Sequence, residues 1–108
     1  MRVAEAEILI IPGLGGSGPD HWQTRWEKKL STARRIEQAD WHRPNLSDWS
    51  SRIAAAVEAA TRPAIVVAHS LGVLAAVHAA KQFAAGKVRA GFLVAPPSER
   101  AIAEIEAI

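Results

Sequence analysis

The sequence predicts an α/β fold, a parallel sheet with helices on both faces. Three observations carry this expectation. Short apolar runs, ILII at 8–11, AIVVA at 64–68 and VRAGFLVA at 88–95, have the length of buried strands. Stretches of helical periodicity lie between them, and strands that alternate with helices pair in parallel through crossover connections. The composition describes one folded domain, with 108 residues, 49% hydrophobic and only 22% charged.

Each element has its own local cause. The first apolar run stops at Pro12-Gly13, which reads as a strand entering a loop. Asp20-His21-Trp22-Gln23 has the D-x-x-Q form of a capping box. Trp22, Trp26 and Leu30 follow at helical spacing, so a helix is predicted over about 20–31. Residues 34–39 are a weaker strand candidate. Asn45 or Ser47, just after Pro44, caps a second helix with the stripe Trp49, Ile53, Val57 and Ala60, and Pro63 ends it. The run at 64–68 passes directly into an alanine-rich helix over 71–85, apolar on nearly every face and closed by Gly86, which must be buried. The strand at 88–95 ends at Pro96-Pro97, and Ser98 caps a final helix over ERAIAEIEAI. The strands are expected in the order second, first, third, fourth, with Val88–Val94 at an edge.

Several function classes are disfavoured. The net charge is +2, and the basic residues are scattered, with Lys28-Lys29 and Arg34-Arg35 the only doublets, so no nucleic-acid footprint is present. With no cysteine there is no disulfide framework and no thiolate zinc site, which suits a cytoplasmic protein. The run before Pro12 is too short for a signal segment or a membrane span. No histidine and carboxylate set has metal-ligand spacing, and neither metal nor cofactor is expected.

The most informative stretch is AIVVAHSLGVLAAVHAA, residues 64–80. A buried strand meets a buried helix at Ala68-His69-Ser70-Leu71-Gly72 with no loop between. That is the context of a nucleophile elbow, which exposes a serine hydroxyl above the sheet; here Ala68 replaces the first glycine of G-x-S-x-G. Ser70 is therefore the candidate nucleophile, and the N–H of Leu71 is one candidate oxyanion donor. The competing reading is that Ser70 only caps its helix.

An oxyanion hole needs a second donor from the loop after an adjacent strand. Residues 13–18 read GLGGSG and hold four of the seven glycines. Gly13 and Gly15 leave backbone open to a substrate oxygen, and the N–H of Leu14 is the expected donor. The same residues match the G-x-G-x-x-G dinucleotide fingerprint, with Glu37 or Asp40 as its acidic partner. Pro19 weakens that alternative, because the fingerprint needs a helix already running there.

The histidines and tryptophans are read against packing. His69 is expected to be a packed neighbour that points away from Ser70. His78 lies eight residues along the helix, about 12 Å at 1.5 Å per residue, too far to be its base. His42 is a loop residue. His21 caps a helix or lines the substrate entrance. The four tryptophans serve core or rim packing, with Trp22 and Trp41 the candidates to wall an apolar pocket. Asp20, Asp40 and Asp48 precede Ser70, whereas the elbow fold runs Ser, then Asp or Glu, then His.

ILIIPGLGGSGPDHWQTRWEKKL, DWHRPNLSDW, VVAHSLGVLAAVHAA and GFLVAPP together resemble the small serine hydrolases that include retinoblastoma-binding protein nine and YdeN-like proteins, within the α/β-hydrolase superfamily. The P-G-x-G-G loop followed by HW and the AHSLG elbow are the most specific pieces. The resemblance spans nearly all 108 residues and implies the N-terminal part of an α/β-hydrolase fold. It implies Ser70 as nucleophile, Leu14 and Leu71 as oxyanion donors, no cofactor, and a small ester or related acyl substrate. It also implies further strands bearing the catalytic Asp and His, so residues 1–108 are expected to form a single domain that lacks its C-terminal part. The alternative function is a non-catalytic protein-binding module on the same fold. The Val88–Val94 edge is the expected route to a protein partner or to self-association.

Overall fold

The chain forms β1 (Glu7–Ile11), α1 (Trp22–Lys29), β2 (Ala33–Arg35), α2 (Leu46–Ala59), β3 (Ala64–His69), α3 (Leu71–Ala79), a 3-10 turn (Ala80–Gln82) and β4 (Val88–Val94). These elements come from a computed structural model that describes residues 5–96 and 98. The strands pair in the order β2-β1-β3-β4, all in parallel, which is the expected order. β1 and β3 are in register from Glu7 opposite Ala64 to Ile11 opposite Ala68. A register shift between β3 and β4 takes Ala64 to Val88 and Ile65 to Ala90, stepping over Arg89.

Alternation along the strands assigns each side chain to one of two layers. Leu9 and Ile11 of β1 and Val66 and Ala68 of β3 join the stripe Trp49, Ile53 and Val57 of α2 and the apolar residues of α3 in the larger core cluster. Ile8, Ile10 and Val67 point the other way, against Trp22 and Leu30 from α1 and its end. Helices thus cover both faces, α1 on one and α2 with α3 on the other.

Three elements differ in their boundaries from the sequence expectation. α1 starts at Trp22 and is capped by His21, not Asp20, because the His21 Nδ1 accepts the Gln23 N–H at 3.2 Å. β2 covers only Ala33–Arg35, paired with Ile8–Ile10; the Ile36 N–H makes one further bond to Ile10 O at 2.9 Å before the chain departs. α3 stops at Ala79 rather than 85: the Ala80 N–H is shared between Ala76 O and Val77 O, and the 3-10 turn ends at Phe83, which packs on the core. Val77 is 56% exposed, so α3 is buried on its core side and not all round. Among the described residues β4 is an edge of the sheet, with Phe92 and Leu93 each 49% exposed. α2 begins where expected, with Asn45 Oδ1 accepting the Asp48 N–H at 2.9 Å. The final helix over 99–108 lies outside the described residues. Among the described residues, no helix is long and apolar enough to cross a membrane.

Candidate active site

The strand order sets up one crevice. β1 and β3 are neighbours, yet the helix after β1 lies on one face of the sheet and the helix after β3 on the other. The chain therefore leaves their carboxyl ends toward opposite faces, at a topological switch point of the kind where open α/β sheets bind ligands. The glycine loop flanks this crevice on one side and Ser70 on the other.

Ser70 joins β3 to α3 in a single residue, at φ 54° and ψ −123°. A β-carbon disfavours that backbone, which persists only where surrounding structure enforces it. Two contacts do so: the Ser70 N–H donates to Val94 O at 3.0 Å, and the Val73 N–H donates to Ser70 O at 2.9 Å. Ala95, just past β4, also has positive φ, at 52°. Ser70 occupies the N-cap position of α3, but its hydroxyl makes no capping bond to the helix. The first-turn N–H groups of α3, Leu71 first among them, have no carbonyl four residues back within the helix.

The two loops meet without side chains between them. A β-carbon on Gly13 would stand 2.9 Å from His69 O, 3.1 Å from Ser70 Cβ and 3.2 Å from Leu71 N. One on Gly72 would stand 2.5 Å from Ile11 O and 2.7 Å from Pro12 O. Bare backbone at both positions is what lets the end of β1 touch the start of α3. Leu14, next in the loop, is 46% exposed.

The rest of the glycine loop is held by Trp41 and by its own backbone. Gly15 (φ 78°) gives its N–H to Trp41 O at 2.7 Å, and Gly16 (φ 72°) gives its own to Gly13 O at 3.0 Å. Two loop amides are thereby engaged by protein carbonyls, and α1 begins only at Trp22, both of which disfavour the dinucleotide alternative. Trp41 packs on Gly16, where a β-carbon would meet its ring at 3.3 Å, and its ring lies 5.6 Å from that of Trp49.

His21, Trp22 and His69 come together beside Ser70's strand. The His21 ring lies 4.7 Å from that of His69 and 5.7 Å from that of Trp22, and the Trp22 ring lies 5.9 Å from His69. His69 is thus a packed neighbour, as expected. Burial, then the His69 ring, then Arg35 hold the His21 pKa below its ordinary value of 6.5. Asp40 lies outside this group; its carboxylate accepts the N–H groups of His42 and Arg43, which lowers its pKa. Trp22 and Trp41 are not brought together, since they pack with opposite faces of the sheet. Among the described residues no group of three or more histidine and carboxylate side chains is placed to hold a metal.

Sequence reasoning missed Gln23. It reads as the last member of a capping box, but its amide is completely buried and reaches the main chain of both central strands. Its partners lie 12 and 44 residues away, so no local pattern could reveal it.

Comparison with known proteins agrees with this architecture. A protein from Pectobacterium atrosepticum, taken to be a YdeN-like hydrolase, has a crystal structure that superposes with a TM-score of 0.82 at 34% sequence identity. The match covers 97% of this chain and 56% of that one, so the present chain spans little more than half of that protein's length. None of the curated protein sequences compared with the chain matches it. The serine hydrolase family matches over residues 8–107. The chain, with its parallel sheet and its serine at the strand-to-helix junction, belongs to that family of small α/β-type serine hydrolases.

Proposed function

We propose that the chain carries the nucleophile half of a hydrolase for small esters or related acyl compounds, with Ser70 as nucleophile and the N–H groups of Leu14 and Leu71 as the oxyanion hole. The observation that supports this most is the backbone at Ser70. A serine at φ 54° on a one-residue junction, with no capping bond, keeps its hydroxyl for chemistry at a conformational cost that a mere cap would not require.

In this reading the Ser70 Oγ attacks the acyl carbon while a general base takes its proton. The carbonyl oxygen becomes an oxyanion between the two loops, and the tetrahedral intermediate collapses as the alcohol leaves with the returned proton. Water then repeats the sequence on the acyl-enzyme. A mutagenised oxyanion donor typically costs about 100- to 1,000-fold in kcat, so two such donors account for several kcal/mol of the barrier. The base and its orienting carboxylate are assigned to chain outside these 108 residues, in the part of the fold that the longer YdeN-like structure has in addition. Gly13, Gly15, His21 and Trp22 line the approach to Ser70. Trp41 enters as the support of the loop, because its ring is already occupied by Gly16 and Trp49.

The test is covalent labelling of the full-length protein by a fluorophosphonate. Ser70→Ala should abolish labelling and hydrolysis of p-nitrophenyl acetate, and a variant that still labels would refute the assignment.

A further inference from the structure

The glycine loop and the Ser70 junction are joined by one side chain that the mechanism above does not use. Gln23, on the first turn of α1, has no solvent exposure. Its Nε2 donates to Ile11 O at 3.1 Å and to Val67 O at 2.9 Å. Its Oε1 accepts the Ser17 hydroxyl at 2.6 Å. These partners fix the amide's orientation, because only the NH2 end can face two carbonyls and only the oxygen can accept the hydroxyl proton.

The positions of the two carbonyls give the bridge its meaning. Ile11 is the last residue of β1, two before Gly13, and Val67 lies in β3, three before Ser70. One planar amide therefore spans the carboxyl ends of the two strands whose loops carry Leu14 and Ser70. Ser17, at the far end of the glycine loop, is held in turn: its carbonyl accepts from Thr24 Oγ1 at 3.1 Å and from Arg35 Nη1 at 2.9 Å. Arg35 Nη2 also donates to Thr24 Oγ1 at 2.6 Å, and the same guanidinium pairs with Glu27 at 3.3 Å. The loop is thus fixed at its start through Ile11 and at its end through Ser17, and Gln23 touches both.

We infer that Gln23 is a positioning residue, which sets the separation of the Leu14 N–H from Ser70 and Leu71 and so the width of the oxyanion hole. This rests on the hydrolase reading above. A buried amide that served only to dock α1 could be replaced by an apolar side chain at the cost of stability alone. An amide that sets the distance between two reacting loops also affects the transition state, because a displacement of about 1 Å at such a site costs on the order of 100-fold in rate.

The experiment compares native full-length protein with Gln23→Met and Ser17→Ala, using p-nitrophenyl acetate as substrate and an alkylboronic acid as the transition-state mimic. Each is assayed at a temperature where circular dichroism shows it folded. Gln23→Met should lower kcat about 10- to 100-fold with KM changed less than about twofold, and boronate affinity should fall in step with kcat. Ser17→Ala keeps both Gln23 donors but releases the amide's other end, and should lower kcat less, by under about tenfold, again without moving KM. If Gln23→Met does not fold, the Ser17→Ala result decides. Native kcat and boronate affinity in the folded variants, or a loss of kcat no larger than the loss of folded protein, would overturn the inference. Ser70→Ala run alongside separates the two levels: activity surviving in it removes the hydrolase reading itself, whereas an inactive Ser70→Ala beside a fully active Gln23→Met removes only the role given to Gln23.

Discussion

His21 caps α1 through an unprotonated Nδ1, so the cap exists only while the imidazole is neutral. Burial, His69 and Arg35 favour that neutral form and keep the folded pKa below 6.5. A pKa lower in the folded than in the unfolded chain means that the unfolded state binds the proton first. The contribution of His21 is therefore complete above pH 6.5 and is lost as the pH falls through the folded value. Urea unfolding at pH 7.5 and pH 5 should show a smaller pH-dependent loss for His21→Asn, which can cap but cannot titrate, than for the native protein. Equal losses in the two proteins would contradict this account. The same scale shows what a sequence can reveal about a site. The turn at Ser70 was legible because its neighbours alone, a β-branched run before it and a small-residue helix after it, dictate a sharp junction. Gln23 was not, because its meaning depends on carbonyls brought to it only when β1 and β3 pair.

Among the elements, the junction of β3 with α3 is the one most constrained by close approach. Gly72 sits in the first turn of α3, and the atoms that a β-carbon there would strike, Ile11 O and Pro12 O, belong to the main chain at and just past the end of a central strand and cannot swing aside. Gly72→Ala should destabilise the fold by about 1–3 kcal/mol, as overpacking of a close-packed interior does. Gly18→Ala, with no atom within 4 Å of its β-carbon, should leave the Tm nearly unchanged. Thermal melts of the two variants check the contrast, and equal Tm values would argue against the contact. Element types followed from periodicity: the Trp49, Ile53, Val57 stripe of α2 and its Asn45 cap are as the sequence reads. Element ends did not. α3 gives way to a 3-10 turn in a run of alanine, lysine and glutamine that favours helix continuation, and β2 runs beside β1 only from Ile8 to Ile10 before the chain departs. Neither limit follows from local propensity.

For the sheet as a whole, the strand order places β2 and β4 at the edges among the described residues, where their outer N–H and C=O groups have no ladder partners. β4 is the longer, with seven residues to three for β2. Near it, Trp26 stacks on Phe92 at 5.4 Å, and a groove of about 390 Å³ runs among Ile8, Leu30, Ile65, Val67 and Phe92. A long, exposed, apolar edge invites strand addition. A polypeptide of these 108 residues should therefore self-associate in size-exclusion chromatography with light scattering, and the pair Phe92→Lys and Leu93→Lys should return it toward monomer. A native chain that stays monomeric as its concentration rises would sink this expectation. The order also has a consequence in time. β1 is translated first but occupies the interior of the sheet, and its main partner, β3, emerges only after residues 12–63 have been made. At about 5–20 residues per second, the ribosome presents EILII for roughly 3–10 s before β3 exists to cover its inner edge. The strand that anchors the glycine loop is thus the one most exposed to misassembly at birth, and slow translation or crowding by other nascent chains should lower the yield of active protein without altering the stability of the molecules that do fold.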